Sequence, residues 1–180
     1  MESHNSIIQT TRCKLTNLRK KDRELVTKLY TNIQVRRFLG GVVDSSNICT
    51  KFLDMLETDA ESKYWVIRVK ENNYSNGIGI VSLGKHYDNI NTEISYQLLP
   101  QWWNKGYGTE IVKAVVDYAL IVLNLPQVIA ETQIANTASC HLLEKIGMRL
   151  ERTIERFEAE QGVFSIQLDA NNPQQFGNIF

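Results

Sequence analysis

A chain of 180 residues with 43% hydrophobic side chains is long and apolar enough to form one packed domain, and this composition excludes a disordered protein. Its 20 basic and 20 acidic side chains balance, so no global charge draws the chain to nucleic acid or to an anionic membrane. Three cysteines without paired spacing favour neither a disulfide framework nor a zinc site, and we expect no metal.

The N-terminal residues lack the basic stretch and apolar run of a signal peptide. No apolar segment approaches the roughly 20 residues that cross a bilayer. We therefore expect a cytoplasmic protein, soluble and without nucleic-acid or membrane partners. A single domain should span 1–180, with its core at about 11–168 and a loose polar tail at 171–180.

The first part of the chain predicts two helices and a run of antiparallel strands. A helix at 22–34 has apolar residues four apart on one face: Leu25, Leu29 and Ile33. A second helix, capped by Asp44 or Ser45, has its apolar positions at Ile48, Phe52, Leu53 and Leu56. Strands are predicted at 13–18, 64–70, 77–85 and 92–99.

The second part alternates strands and helices. A helix at 109–123 carries apolar residues at helical spacing: Ile111, Val112, Val115, Tyr118 and Ala119. A strand at 128–133 and a helix at 137–146 follow, and Gly147 is suited to close that helix. The segments 149–158 and 162–168 predict a terminal hairpin. This order predicts one α/β or α+β domain.

The most informative segment is Gln-Trp-Trp-Asn-Lys-Gly-Tyr-Gly-Thr-Glu at 101–110, between a predicted strand and a predicted helix. Pro100 ends the strand because it has no N–H group. Gly106 and Gly108 allow a tight turn without a Cβ in a ligand's way, and the helix start favours a phosphate. No Walker A ending is present, and Ile111 replaces the third glycine of a dinucleotide fingerprint. Phosphate binding and a purely structural turn both remain open.

The order Trp-Asn-Lys-Gly-Tyr-Gly-Thr-Glu at 103–110 resembles the coenzyme A-binding motif of the GNAT superfamily of N-acetyltransferases, in its RimJ/RimL-like branch. That branch typically reads Trp-Gly-Lys-Gly-Tyr-Ala-Thr-Glu, so Asn104 and Gly108 depart from it. The second family motif follows at the expected distance, as Asn-Thr-Ala-Ser at 136–139 and Leu-Leu-Glu-Lys-Ile-Gly-Met at 142–148. The two motifs are specific in combination.

A looser match extends over most of the chain and includes Thr11-Arg12 near its start. The resemblance implies a mixed, mostly antiparallel sheet with flanking helices, splayed open between its fourth and fifth strands. Acetyl-CoA would lie in that opening as the cosubstrate.

The resemblance also implies which residues bind acetyl-CoA. They are Leu98, Leu99, Asn104, Lys105, Gly106, Tyr107, Gly108, Thr109, Asn136 and Ser139. The main chain of Leu98 or Leu99 would face the thioester oxygen, as in an oxyanion hole. Asn136 would bond the pantetheine arm and could also cap its own helix. The Lys105 ammonium either adds charge or is simply solvated.

The catalytic residues are harder to assign. Many family members place a tyrosine acid where this chain has Leu143, whereas the RimL-like branch uses the serine matched by Ser139. A serine there could equally be a tolerated small residue. Candidates for the general base are Glu93, Glu158 and Glu160, each of which could instead be a solvated carboxylate. His86, near a strand end, could also accept a proton.

We therefore expect an acetyl-CoA-dependent N-acetyltransferase that acts on a primary amine, either a protein N-terminus such as that of a ribosomal protein or a small molecule. The alternative is a non-catalytic acyl-CoA-binding module, because Leu143 carries no proton. The acceptor should lie between 36–43 and 155–164, with Phe38 and Phe164 as apolar walls or as core residues. Either a monomer or a homodimer is compatible with the sequence.

Overall fold

The computed structural model describes residues 8–57, 62–72 and 77–168. The α-helices within these ranges are α1 (Arg23–Thr31), α2 (Ile33–Arg36), α3 (Ser45–Leu56), α4 (Tyr107–Asp117) and α5 (Thr137–Lys145). The strands are β1 (Ile8–Gln9), β2 (Cys13–Asn17), β3 (Lys63–Val69), β4 (Gly77–Lys85), β5 (Thr92–Leu98), β6 (Gln127–Gln133), β7 (Arg149–Arg156) and β8 (Ala159–Gln167). None of the helices described is long and apolar enough to cross a membrane.

The strands form one mixed sheet in the order β1-β2-β3-β4-β5-β6-β8-β7. Neighbouring strands are antiparallel except β5 and β6, which are parallel and pair only at Thr92 with Val128 and at Glu93 with Ile129. Each of these strands has 7 residues, so they diverge over most of their length. The predicted splayed GNAT-type sheet is confirmed, with β5 and β6 as the diverging strands because the short β1 precedes the others. We call the opening between them the β5–β6 cleft.

Apolar clusters cover both faces of the sheet. On the first face, α4 and α5 pack through Ile111, Val115 and Leu143. On the second face, α1 and α3 pack through Leu29 and Phe52. Because side chains alternate along a strand, β5 directs residues 94, 96 and 98 to the first face and residues 93, 95 and 97 to the second.

The helix predicted at 22–34 is divided in two. Asn32 has an extended backbone, with φ −81° and ψ 116°, and its side chain caps α2 by accepting hydrogen bonds from the N–H groups of Gln34 and Val35. This break turns Ile33 outward, where it is 76% exposed, so its predicted place on the apolar face is wrong. In α3, Leu53 is exposed and Met55 takes its place in the core, whereas Asp44 caps the helix as predicted.

A buried ion pair connects the start of α1 to the sheet. Arg68 Nη2 lies 2.5 Å from Asp22 Oδ1, and both side chains are 6% exposed. Arg68 also donates through Nε to Thr16 Oγ1 at 3.0 Å. This pair anchors α1 on β2 and β3. The tail predicted to be loose, 171–180, lies outside the described residues.

Candidate active site

The first part of the site is the connection from β5 to α4. As predicted, β5 ends just before Pro100, which begins a 3₁₀ turn at Pro100–Trp102. Asn104 and Gly106 then adopt left-handed backbones, with φ 57° and 79°. Helix α4 begins at Tyr107, two residues earlier than predicted. We call residues 104–108 the glycine turn.

The N-terminus of α4 has no side-chain cap among the described residues, because its N-cap is Gly106. The Glu110 N–H group donates to the Gly106 carbonyl at 3.1 Å and makes the first bond of the helix. The N–H groups of residues 107–109 therefore have no acceptor within the helix, and they lie at the positive end of its dipole. This arrangement suits the oxygen atoms of a phosphate.

The glycine turn is held by Arg12, from the connection between β1 and β2. Its Nε donates to Glu110 Oε2 at 2.6 Å, its backbone N–H to Glu110 Oε1 at 2.8 Å, and its Nη1 to the Lys105 carbonyl at 2.9 Å. Its guanidinium lies 4.2 Å from the centroid of the Tyr107 ring. Burial alone would raise the pKa of Glu110, but hydrogen bonds from Thr10 and Arg12 outweigh it and lower that pKa. Glu110 is thus an anion that Arg12 neutralises beside the helix start.

The two glycines of the turn differ in role. Gly106 has φ +79°, and a Cβ there would lie 3.3 Å from Arg12 Nη2. Gly108 lies inside α4, and its Cβ would approach Leu142 Cδ1 to 2.9 Å. The expected left-handed turn therefore depends on Gly106 and not on Gly108, whose missing side chain instead allows α4 to pack against α5.

Two tryptophans shape the same connection. Trp103 donates its indole N–H to the Leu98 carbonyl at 2.7 Å, and Trp102 packs edge-on against Tyr107. Lys105 is exposed, and its Nζ donates to the Gln101 carbonyl at 2.8 Å. The ammonium therefore stays at the rim of the turn.

The main chain at the end of β5 shows which of Leu98 and Leu99 directs its N–H group into the β5–β6 cleft. The Leu99 N–H group donates to the Ile78 carbonyl at 2.9 Å and is thus engaged with β4. In an antiparallel ladder the next residue along points its N–H and C=O groups the other way. Leu98, opposite Gly79, therefore directs its N–H toward the β5–β6 cleft. This geometry favours Leu98 as the donor to a group bound there.

Ser139 lies in the first turn of α5, and its hydroxyl meets that of Tyr96 on β5. The Ser139 Oγ and Tyr96 Oη atoms are 2.7 Å apart. Asn136 caps α5 as predicted, accepting a hydrogen bond from the Ser139 N–H group at 3.4 Å. Burial raises the pKa of Tyr96 to about 12, although the bond to Ser139 acts in the opposite direction. Leu143, at the position of the usual tyrosine acid, is fully buried in the core.

Because α5 directly follows β6, the Tyr96–Ser139 hydrogen bond joins the two arms of the β5–β6 cleft. The sequence interpretation singled out Ser139 but missed Tyr96. The available signal was its alternation with Ile94 and Leu98, which places all three on the first face.

The second face of β5 and β6 carries a group of ionisable side chains. His86 is 1% exposed, and its Nε2 lies 3.0 Å from Glu131 Oε2 and its Nδ1 2.9 Å from Asp88 Oδ2. Arg156 Nη1 lies 3.0 Å from Glu131 Oε2. Burial raises the pKa of Glu93, and the neighbouring Glu131 adds to this, while His86 opposes it. His86 is already engaged by two carboxylates, so Glu93 is the better candidate for a base.

Glu93 does not lie next to the end of β5. It precedes Leu98 by five residues, which is roughly 16 Å along an extended strand. Gln97 is closer, and its buried Oε1 atom has no hydrogen-bond partner among the described residues. It points to the second face, so it is a candidate contact for an N–H donor that approaches from that side.

The terminal hairpin places the other carboxylates at the surface. Phe157 and Glu158 form its turn with φ 56° and 57°, and both Glu158 and Glu160 are exposed. Phe164 is 1% exposed in the core of the first face, so of its two predicted roles the structure shows the core role and not the wall of the acceptor site. Phe38 is half-buried, and its role stays a prediction. Across the described ranges, no cluster of three His, Cys, Asp or Glu residues could hold a metal ion.

Comparison with known families identifies the class of protein. The family model described as "Acetyltransferase (GNAT) domain" matches residues 12–149. The chain therefore belongs to the GNAT acetyltransferase family, whose fold matches the splayed sheet and the glycine turn described above.

Several relatives are similar over most of their length. The uncharacterized N-acetyltransferase YoaA of Bacillus subtilis is 25% identical over 163 residues, covering 87% of this chain and 90% of YoaA. YnaD of the same organism, also an uncharacterized N-acetyltransferase, is 28% identical over 144 residues, covering 80% of this chain and 83% of YnaD.

Solved structures share the fold at low identity. A GNAT acetyltransferase from Bacillus anthracis superposes with a TM-score of 0.78 at 22% identity, covering 90% of this chain and 98% of that one. Spermidine N-acetyltransferase from Vibrio cholerae, in complex with CoA and spermine, superposes with a TM-score of 0.74 at 20% identity, covering 86% and 95%.

Proposed function

We propose that this protein is an acetyl-CoA-dependent N-acetyltransferase of the RimJ/RimL-like branch that acetylates a primary amine. The observation that carries this proposal is the β5–β6 cleft, which has an uncapped helix start at one end and the Tyr96–Ser139 hydroxyl pair across it. Membership of the GNAT family supports acetyl transfer, and the named relatives support an amine acceptor.

The glycine turn binds the cosubstrate in this proposal. The N–H groups of residues 107–109 donate hydrogen bonds to the pyrophosphate oxygens, while Arg12 holds the turn and cancels the charge of Glu110. Acetyl-CoA supplies an acetyl group already activated as a thioester. The Leu98 N–H group, directed into the cleft, stabilises the negative charge that develops on the thioester oxygen. Asn136 contributes to the pantetheine contact in addition to its cap.

Ser139 acts as the general acid toward the departing sulfur. Its place in the first turn of α5, with the backbone fixed by Asn136 and the hydroxyl in contact with Tyr96, supports this role. Leu143 supplies no proton. General acid assistance contributes about 10²–10⁴-fold to a rate, so Ser139→Ala should lower kcat by at least tenfold while leaving acetyl-CoA affinity nearly unchanged.

Glu93 is our choice as the general base. Its burial and raised pKa bring it nearer to the working pH than an ordinary carboxylate, whereas Glu158 and Glu160 are exposed at the hairpin. Its distance from Leu98 along β5 requires water to carry the proton. The attacking amine must be neutral, and this relay removes the proton of its ammonium form.

The amine enters from the second face. The buried Gln97 Oε1 can accept a hydrogen bond from it, and the exposed Glu158 and Glu160 can attract a cationic acceptor toward the hairpin. A small polyamine is one acceptor to test, because a structural neighbour is a spermidine N-acetyltransferase. A protein N-terminus is the other, as the RimJ/RimL-like motifs imply.

Steady-state release of CoA thiol tests the proposal. Wild-type protein is assayed with acetyl-CoA against spermidine, spermine, free amino acids and short peptides with free N-termini. At least one amine should give turnover well above the hydrolysis seen without acceptor, with the acetylated amine identified by mass spectrometry. Tight acetyl-CoA binding without transfer to any amine would contradict the enzyme and point to a non-catalytic acyl-CoA-binding module.

A further inference from the structure

The contact between Tyr96 and Ser139 constrains what the serine can do. The backbone of Ser139 is fixed by the Asn136 cap and its Oγ atom is held against Tyr96 Oη, so the remaining freedom is rotation of its O–H bond. A hydroxyl has one donor and can accept two hydrogen bonds. To give its proton to sulfur, Ser139 must act as the acceptor toward Tyr96, 2.7 Å away.

Tyr96 is suited to be that donor. Its hydroxyl is half-buried between β5 and α5, and burial keeps its pKa at about 12, so the phenol retains its proton throughout the neutral range. A bond donated to the Ser139 oxygen also polarises the serine and strengthens the bond that it donates in turn.

We propose that Tyr96 is a positioning residue that donates a hydrogen bond to Ser139 and thereby directs the Ser139 proton toward the sulfur atom of the cosubstrate. This inference depends on the proposed function for its catalytic consequence. The bond between carbon and sulfur breaks, its electron pair remains on sulfur, and sulfur takes the Ser139 proton. The proton released by the attacking nitrogen restores the hydroxyl pair, so the reaction is balanced without another reactant.

A binding measurement tests the inference without turnover. A hydrogen bond donated to sulfur favours the thiolate and lowers the pKa of bound CoA thiol. Wild-type protein should therefore bind CoA increasingly more tightly than desulfo-CoA, which has no thiol, as pH rises through the ordinary thiol range near about 8.5. Each unit of pKa lowering gives about a tenfold preference above that range.

Both Tyr96→Phe and Ser139→Ala should lose this pH-dependent preference. The matched control is Tyr64→Phe, which removes the same hydroxyl from a half-buried tyrosine on β3, packed in the second-face cluster, and should retain it. A preference unchanged in Tyr96→Phe, or absent from wild-type protein, would overturn the inference.

A double-mutant cycle, measured in kcat, tests the coupling of the Tyr96 and Ser139 hydroxyls. Tyr96→Phe should lower kcat by roughly tenfold, the value of one hydrogen bond, without changing the KM for acetyl-CoA. In the Ser139→Ala background it should have no further effect, because the residue to be positioned is gone. Additive losses, as expected for a purely structural tyrosine, would overturn the inference. Wild-type protein without turnover contradicts the proposed function instead, and the thiol measurement then decides the inference by itself.

Discussion

Substitution of Gly106 tests the proposed cosubstrate site at the glycine turn. Its φ of +79° is a left-handed conformation that a β-branched side chain rarely adopts, and a Cβ there lies 3.3 Å from Arg12 Nη2. Gly106→Val should therefore distort the glycine turn and displace the guanidinium that holds it. The N–H groups of α4 then no longer converge on one phosphate.

The expected effect of Gly106→Val has two parts, a loss of folding stability and a loss of CoA affinity. A non-glycine residue held in this backbone region costs about 1–3 kcal/mol of folding free energy. Hydrogen bonds to a charged group are worth about 1.5–3 kcal/mol each, so losing one weakens CoA binding roughly tenfold to a hundredfold. Gly40→Val is the matched control, since Gly40 has φ +77° and no atom within 4 Å of an added Cβ. It should lose similar stability and keep the wild-type affinity.

Isothermal calorimetry with CoA, combined with urea unfolding of each variant, separates the two parts. We expect the Kd to rise at least tenfold in Gly106→Val and to stay within twofold in Gly40→Val. A folded Gly106→Val protein with wild-type affinity would show that the glycine turn does not hold the pyrophosphate.

Three further substitutions test other parts of the structure. Arg12→Met removes the ion pair of Glu110 and leaves its carboxylate with only the hydrogen bonds from the Arg12 backbone and from Thr10. The negative charge then uncompensated at the start of α4 should lower CoA affinity, measured by calorimetry, about tenfold, the size of one charge-assisted bond; unchanged affinity would contradict the role of Arg12 in holding the glycine turn. Burial raises the pKa of Glu93, so the acid limb of the pH profile of kcat/KM should lie above about 4.3 and should flatten in Glu93→Gln; an unchanged acid limb would exclude this base. The substitution should not destabilise the fold at neutral pH, because there the ionised, partly buried carboxylate lowers the free energy of unfolding. Asp22→Ala leaves Arg68 as a buried unpaired charge and should cost about 3–5 kcal/mol in urea unfolding, whereas a loss below about 1 kcal/mol would contradict this.

Local sequence patterns predicted most of the helices and strands, because the apolar periodicity of each element is set by residues close together in the chain. The apolar spacing of α4 placed Ile111 and Val115 in the core, and Gly147 closes its helix with φ +94°, as a C′ glycine does. The spacing failed at Ile33, where the Asn32 side chain caps a new helix and outweighs the apolar periodicity.

Motifs supplied the candidate cofactor-binding residues and Ser139, but not the contacts that hold these residues in place. The glycine turn and Ser139 lie within motifs, whereas the Arg12–Glu110 pair joins residues 98 apart and the Tyr96–Ser139 bond joins residues 43 apart. Alternation along β5 gives the face on which Tyr96 lies, but no local pattern gives the partner in a contact of this range, since partners are set by the order of strands in the sheet. The raised pKa of Glu93 also has no local sequence signal, because it reflects burial at the narrow end of the β5–β6 cleft, where β5 pairs with β6.

A crystal structure of this protein with CoA tests the central claim most directly. We expect the pyrophosphate on the N–H groups of residues 107–109, the pantetheine arm between β5 and β6, and the sulfur atom within hydrogen-bonding distance of the Ser139 hydroxyl. CoA bound elsewhere, or bound in the cleft with its sulfur remote from both Ser139 and Leu98, would contradict the proposed active site.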